Sequence, residues 1–156
     1  HRANVVVVTK CPTHMQPIDR RIVSNTLQLA SYQHLCYSSI GYAPIHLNGT
    51  PLIVTGIANP MPLLTHLQQQ YPDTELLAYP DHHIFTPQDV NRIMQKAEQY
   101  VCVVTTEKDY MRLLQTPLVE QLGDKLHVIS IQTNLGIDKE AFDRQILLYV
   151  SENNRK

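Results

Sequence analysis

Glycine is scarce in this chain of 156 residues. The five glycines are Gly41, Gly49, Gly56, Gly123 and Gly136, and none precedes a lysine. That excludes the GxxxxGK[ST] loop with which P-loop proteins cradle phosphate. Cysteine is equally sparse: Cys11, Cys36 and Cys102 are widely spaced and form no CxxC pair. Neither a zinc site nor a disulfide framework is indicated, and buried thiols in a reducing cytoplasm are expected. No apolar run approaches the ~18 residues that a membrane span requires. Charge of one sign is also lacking, with 13 Lys and Arg against 14 Asp and Glu for a net charge of -1. No basic block appears, so no nucleic-acid partner is expected. Repeats and low-complexity stretches are missing too. The chain opens at His1 and runs into Val5-Val6-Val7-Val8 with no signal-like segment, which reads as a start inside a larger protein.

What is present suits a globular domain, with 43% hydrophobic and 17% charged residues. The rhythm is strand then helix. Asn4 to Thr9 is a β-branched run without polar alternation, as in a strand buried on both faces. Ile18, Ile22, Val23, Leu27 and Ala30 recur at helical spacing toward Leu35. Tyr37 to Leu47 reads as a short extended piece, and the Gly and Pro residues through Pro51 read as a linker. Strands are expected at Leu52–Thr55, Leu76–Tyr79, Val101–Val104 and His127–Ile131. Helices are expected from Pro60 to Gln70 with Asn59 as N-cap, and from Pro87 through Ala97. Two more are expected from Thr106 to Leu114 and from Asp138 to Val150. Thr86 with Asp89 and Thr106 with Asp109 both have capping-box spacing. Alternating β and α units predict an α/β fold, a mainly parallel sheet with flanking helices, Rossmann-like in its α/β/α layering.

In such sheets ligands bind outside the carboxyl ends of the strands, and three loops occupy that position. Thr55 to Pro60 offers one turn glycine and a helix start, which suits either an anion or simply a capped turn. Tyr79-Pro80-Asp81-His82-His83-Ile84-Phe85-Thr86 is stiffened by Pro80 at its entry and by the capped helix at its exit. An Asp beside a His orients the imidazole for base work near neutral pH; solvated loop residues are the plain alternative. In Thr105-Thr106-Glu107-Lys108-Asp109, Lys108 sits at a helix start, against the dipole. It makes sense there if it meets an anion, or if it pairs with a neighbouring carboxylate.

Four segments together resemble one family. "RANVVVVTKCP" at Arg2–Pro12, "VTGIANP" at Val54–Pro60, "YPDHHIFTPQD" at Tyr79–Asp89 and "VVTTEKDYMRL" at Val103–Leu113 stand in the order and spacing of the C-terminal half of tetraacyldisaccharide 4'-kinases. The resemblance implies a two-domain enzyme with a P-loop N-terminal domain. It would use ATP and Mg²⁺ to phosphorylate the 4'-hydroxyl of a lipid A disaccharide precursor, peripherally at the cytoplasmic face of the bacterial inner membrane. Residues 1–42 would finish the nucleotide-binding domain, 43–51 would be a linker and 52–156 the C-terminal α/β domain, with the last helix returning to the first. His82, beside Asp81, would support an Asp of the N-terminal half that acts as base. His83 is not carried over. Lys108, Thr106 and Glu107 would bind substrate or another anion. The P-loop half would be the necessary partner, and this chain alone is expected to be inactive, with no bound cofactor or metal.

Two rival readings stand beside it. Asp81-His82-His83 is also the namesake motif of the DHH phosphoesterases, which bind Mn²⁺. Those enzymes need an upstream DxD, where this chain has Thr9-Lys10-Cys11-Pro12. The other rival is a non-catalytic Rossmann-like binding domain.

Overall fold

A computed structural model describes residues 3–153; Arg2, the first residue of the first motif, lies outside them. The chain divides into two compact units, one holding residues up to Gly41 and from Gln132 onward, the other Tyr42–Ile131.

In the first unit, β1 (Val5–Cys11) pairs in parallel with β2 (His34–Tyr42), Val5 lying opposite His34. The register shifts between Val8 and Cys11, where Lys10 takes φ 59°. Between the strands runs α1 (Pro17–Leu27). Periodicity suggested a helix reaching Leu35, but Gln28 turns left-handed at φ 46° and stops it. A turn follows, closed by Gln33 N donating to Ala30 O at 2.9 Å. His34 and Leu35 then begin β2, opposite Val5 and Val6 of β1. The third strand is β7 (Ile131–Asn134), on the other side of β2. A 3₁₀ turn at Gly136–Asp138 leads into α6 (Lys139–Asn153). Asp138 ties these pieces together, taking Arg20 Nη2 at 2.5 Å on one oxygen and Tyr37 N at 2.9 Å on the other.

The second unit is a four-stranded parallel sheet in the order β4-β3-β5-β6. Its strands are β3 (Pro51–Thr55), β4 (Glu75–Ala78), β5 (Cys102–Thr106) and β6 (Leu126–Ile129). The two central strands, β3 and β5, are buried along their whole length, as their unbroken apolar runs require. Successive side chains of a strand point to opposite faces, and the core divides accordingly. Leu52, Val54 and Val103 pack with Ile93 and Ala97 of α3 (Pro87–Ala97), Leu113 of α4 (Glu107–Leu113) and Leu118 of α5 (Leu118–Leu122). Ile53, Cys102 and Val104 pack on the other face with Leu63 and Leu67 of α2 (Met61–Gln68). Each of these Val, Leu and Ile side chains, fully buried, contributes about 1.5–3 kcal/mol. The result is the expected α/β layering, a mainly parallel sheet flanked by helices.

The helix starts differ from expectation in two places. At α2 the cap is Pro60, one residue later than anticipated, although Asn59 Oδ1 still accepts from Met61 N at 3.3 Å. At α3 the full capping box forms: Thr86 Oγ1 accepts from Asp89 N, and Thr86 N donates to Asp89 Oδ2 at 2.8 Å. At α4 only half of it does. Thr106 Oγ1 accepts from Asp109 N at 3.2 Å, but the Asp109 carboxylate turns inward instead of reaching back to the Thr106 backbone. The short α5 has no counterpart among the expected elements, and Ser130 splits the anticipated His127–Ile131 strand between β6 and the start of β7.

Candidate functional site

All four strands of the second unit end on the same edge, and each contributes residues at or just beyond its carboxyl end. β3 gives Thr55 and Gly56, β4 gives Asp81 and His82, β5 gives Lys108, and β6 gives Ser130.

The organising group is Asp109, whose side chain is 0% exposed. Its Oδ2 accepts from Thr55 Oγ1 at 2.5 Å, Gly56 N at 3.0 Å and Thr106 Oγ1 at 2.9 Å. Its Oδ1 accepts from Arg112 Nη1 at 3.1 Å. A buried carboxylate survives only when paired and hydrogen-bonded in this way. The end of β3 is thereby tied to the start of α4. Gly56 is required by proximity: a Cβ there would meet Pro80 O at 3.0 Å and His83 Cβ at 3.4 Å. The β3 turn and the Asp81–His83 loop therefore pack backbone against backbone.

That loop is tightly determined. Tyr79 N donates to Thr55 O at 2.8 Å and His83 N to Pro80 O at 3.2 Å. Asp81 Oδ1 accepts from the His82 backbone N at 3.0 Å and from Lys108 Nζ at 2.9 Å. His82 adopts φ 60°, a left-handed conformation that costs a non-glycine residue about 1–2 kcal/mol and that clusters at functional sites. The hydrogen bond from Lys108, ahead of any other cause, holds the Asp81 carboxyl below the usual range, so it is ionised near neutral pH.

The two histidines part company. His83 turns inward, with Nε2 2.9 Å from Asp89 Oδ2 and its ring stacked on Tyr79 at a centroid distance of 4.7 Å. His82 stays outward, its side chain 75% exposed, with Nδ1 3.2 Å from Arg112 Nη2 and Nε2 3.5 Å from Asp81 Oδ2.

The structure thus gathers Asp81, His82 and Lys108 into one cluster. Thr106 is buried and serves the α4 cap, while Glu107 is turned toward β6, its Oε1 accepting from Ser130 Oγ at 2.6 Å. Sequence reasoning missed Arg112 and gave Asp109 only a capping role. The i, i+3 spacing of Asp109 and Arg112 was the available signal. The cluster offers one ionised carboxylate, one imidazole and two cations within hydrogen-bond reach, a set suited to positioning an anionic oxygen or a proton. Among the described residues no three His, Cys, Asp or Glu side chains are grouped as ligands, and the two histidines point to different partners. Cys11, Cys36 and Cys102 are free thiols, the last two buried. No helix of the described residues is long and apolar enough to cross a membrane.

A parallel sheet with helices on both faces defines a Rossmann-like α/β protein, and the polar cluster lies at the edge where ligands of such sheets bind. The sequence model of the Tetraacyldisaccharide-1-P 4'-kinase family matches residues 1–151, and the chain belongs to that family. Among similar proteins, the tetraacyldisaccharide 4'-kinase of Bacteroides thetaiotaomicron is 32% identical, covering 99% of this chain and 48% of its own length. That of Phocaeicola vulgatus is 34% identical with the same coverage, and that of Flavobacterium johnsoniae is 32% identical over 98% of this chain and 46% of its own. The chain spans about half the length of these relatives. No solved structure matches it. Membership in a kinase family removes the sequence ground for a DHH phosphoesterase.

Proposed function

We propose that this chain is the C-terminal portion of an ATP-dependent kinase that phosphorylates the 4'-hydroxyl of a tetraacyldisaccharide 1-phosphate in lipid A biosynthesis. The family match over residues 1–151 carries this reading. The chain corresponds to about 48% of a relative's length and holds no GxxxxGK[ST] sequence. ATP and Mg²⁺ are assigned to the preceding portion on this reading; near His82, Asp81 is engaged by Lys108 and Asp109 by four donors. The unit containing β1, β2, β7 and α6 belongs with the nucleotide-binding domain, and the unit from Tyr42 to Ile131 is the second domain. The surface of the first unit supports that division. Helix α6 buries no residue and leaves Leu147 68% and Tyr149 62% exposed, as suits a helix covered by further chain.

In this enzyme His82 is a positioning residue. It supports an Asp of the preceding portion that takes the proton from the sugar hydroxyl, while Lys108 and Arg112 supply positive potential beside it. The acceptor lipid brings the enzyme to the cytoplasmic face of the inner membrane as a peripheral protein. Phosphoryl transfer from ATP to the disaccharide tests the reading. The full-length protein should form 4'-phosphorylated product, and this chain alone should form none. Robust product from the chain alone, or none from the full-length protein, overturns it.

A further inference from the structure

Arginine carries only donors, so the nitrogen of His82 that meets Arg112 must present a lone pair. That nitrogen is Nδ1, 3.2 Å from Arg112 Nη2. In a neutral imidazole the proton is then on Nε2, the nitrogen that lies 3.5 Å from Asp81 Oδ2. Arg112 is itself not free to move. Its Nη1 donates to the fully buried Asp109 at 3.1 Å and lies 3.4 Å from Gly56 O, and its side chain is only 23% exposed. Asp81 is less well placed to choose the tautomer: its Oδ2 is 3.5 Å from Nε2, and its Oδ1 is committed to Lys108.

We propose that Arg112, braced by Asp109, is a positioning residue that locks His82 in the Nε2–H tautomer, so that His82 offers a hydrogen-bond donor to an anionic oxygen and not a lone pair. The relay runs from a buried carboxylate through a guanidinium, both on α4, to an exposed imidazole on the loop after β4, and Thr55 and Gly56 of the β3 end hold the carboxylate in place. His82 holds a left-handed backbone, φ 60°, while making this contact. The functional part of this inference rests on the kinase reading above; the tautomer itself does not.

The test uses full-length protein with ¹⁵N-labelled histidine, the His82 ring signals being identified by their loss in His82→Gln. At about pH 8.5, above the ordinary histidine range, the wild-type ring should show a protonated Nε2 and a bare Nδ1. In Arg112→Lys, which leaves Asp109 a cation but cannot span both partners, the two nitrogen shifts should draw together. Turnover should fall on the order of 10-fold, with KM for ATP within a few-fold. A proton on wild-type Nδ1, or an unchanged pattern in Arg112→Lys, overturns the lock; the wild-type spectrum decides this even without a foldable variant. A lost tautomer with unchanged kcat overturns its role in turnover. Absence of kinase activity in the wild-type protein would instead strike the proposed function, leaving the spectrum as the measure of the lock.

Discussion

Asp109 on α4 and Thr55 at the end of β3 are joined by a 2.5 Å hydrogen bond, although 54 residues separate them in the chain. The bond is buried, and the same carboxylate oxygen also takes Gly56 N and Thr106 Oγ1. Removing it leaves Arg112 without its buried partner and three donors unpaired. Asp109→Ala is expected to cost on the order of 3–5 kcal/mol. Urea unfolding measures it; a loss under about 1 kcal/mol would mean that the network relaxes onto water.

How much of this was legible in the sequence depends on the distance over which each residue acts. The Thr86–Asp89 box, the buried β3 and β5 runs and the apolar stripe of α3 follow from neighbours within one or two turns, and each is present. Helix α1 holds Ile18, Ile22 and Leu27 as their spacing implies, but Ala30 carries that spacing past its end, whereas the stop at Gln28 comes from a left-handed backbone that no glycine announces. The site divided similarly. Asp81, His82 and Lys108 share the strand-end edge that the α/β rhythm implies. The inward turn of Asp109 and the reach of Arg112 to His82 are contacts across 53 and 30 residues, which spacing alone does not encode.

Gly49 makes a separate test of close packing. A Cβ at this position would lie 2.6 Å from Cγ2 of Val101, a stiff β-branched side chain. Gly49→Ala is therefore expected to destabilise by about 1–3 kcal/mol. Val101→Ala removes the methyl carbons but leaves its Cβ 2.9 Å away, so it should recover only part of that loss in the double variant, a coupling that a double-mutant cycle reads directly. Additive losses would place the strain elsewhere.

Acid stability should report on Asp89. Burial pushes its pKa up, but hydrogen bonds from Thr86 N, Thr86 Oγ1 and His83 outweigh that and bring it down to about 2, from an ordinary 3.8. The native fold thus favours the ionised form. The stability this contributes is complete above about pH 4 and is lost as pH falls toward 2. Thr86→Ala removes one donor and the helix cap, costing about 1 kcal/mol at neutral pH and narrowing the acid-labile window. Chemical unfolding between pH 2 and 7 checks both, and a stability that does not change below pH 4 contradicts the assignment.

His82 and His83 are neighbours with opposite expected phenotypes. His83 is held by Asp89 at 2.9 Å and stacked on Tyr79, so His83→Ala should lower stability by about 1–3 kcal/mol while kcat stays within a few-fold. His82 touches no core group, so His82→Ala should leave stability nearly unchanged while turnover of the full-length enzyme falls on the order of 10²-fold or more. Its φ of 60° adds a second handle. Glycine adopts that conformation without penalty, so His82→Gly should be about 1 kcal/mol more stable than His82→Ala and just as slow. A protein that gains stability by losing this histidine is holding strain for the sake of activity. Denaturation curves and steady-state kinetics on the three variants decide the matter. Should His83→Ala cripple turnover and His82→Gly leave it intact, the roles of the two residues are reversed.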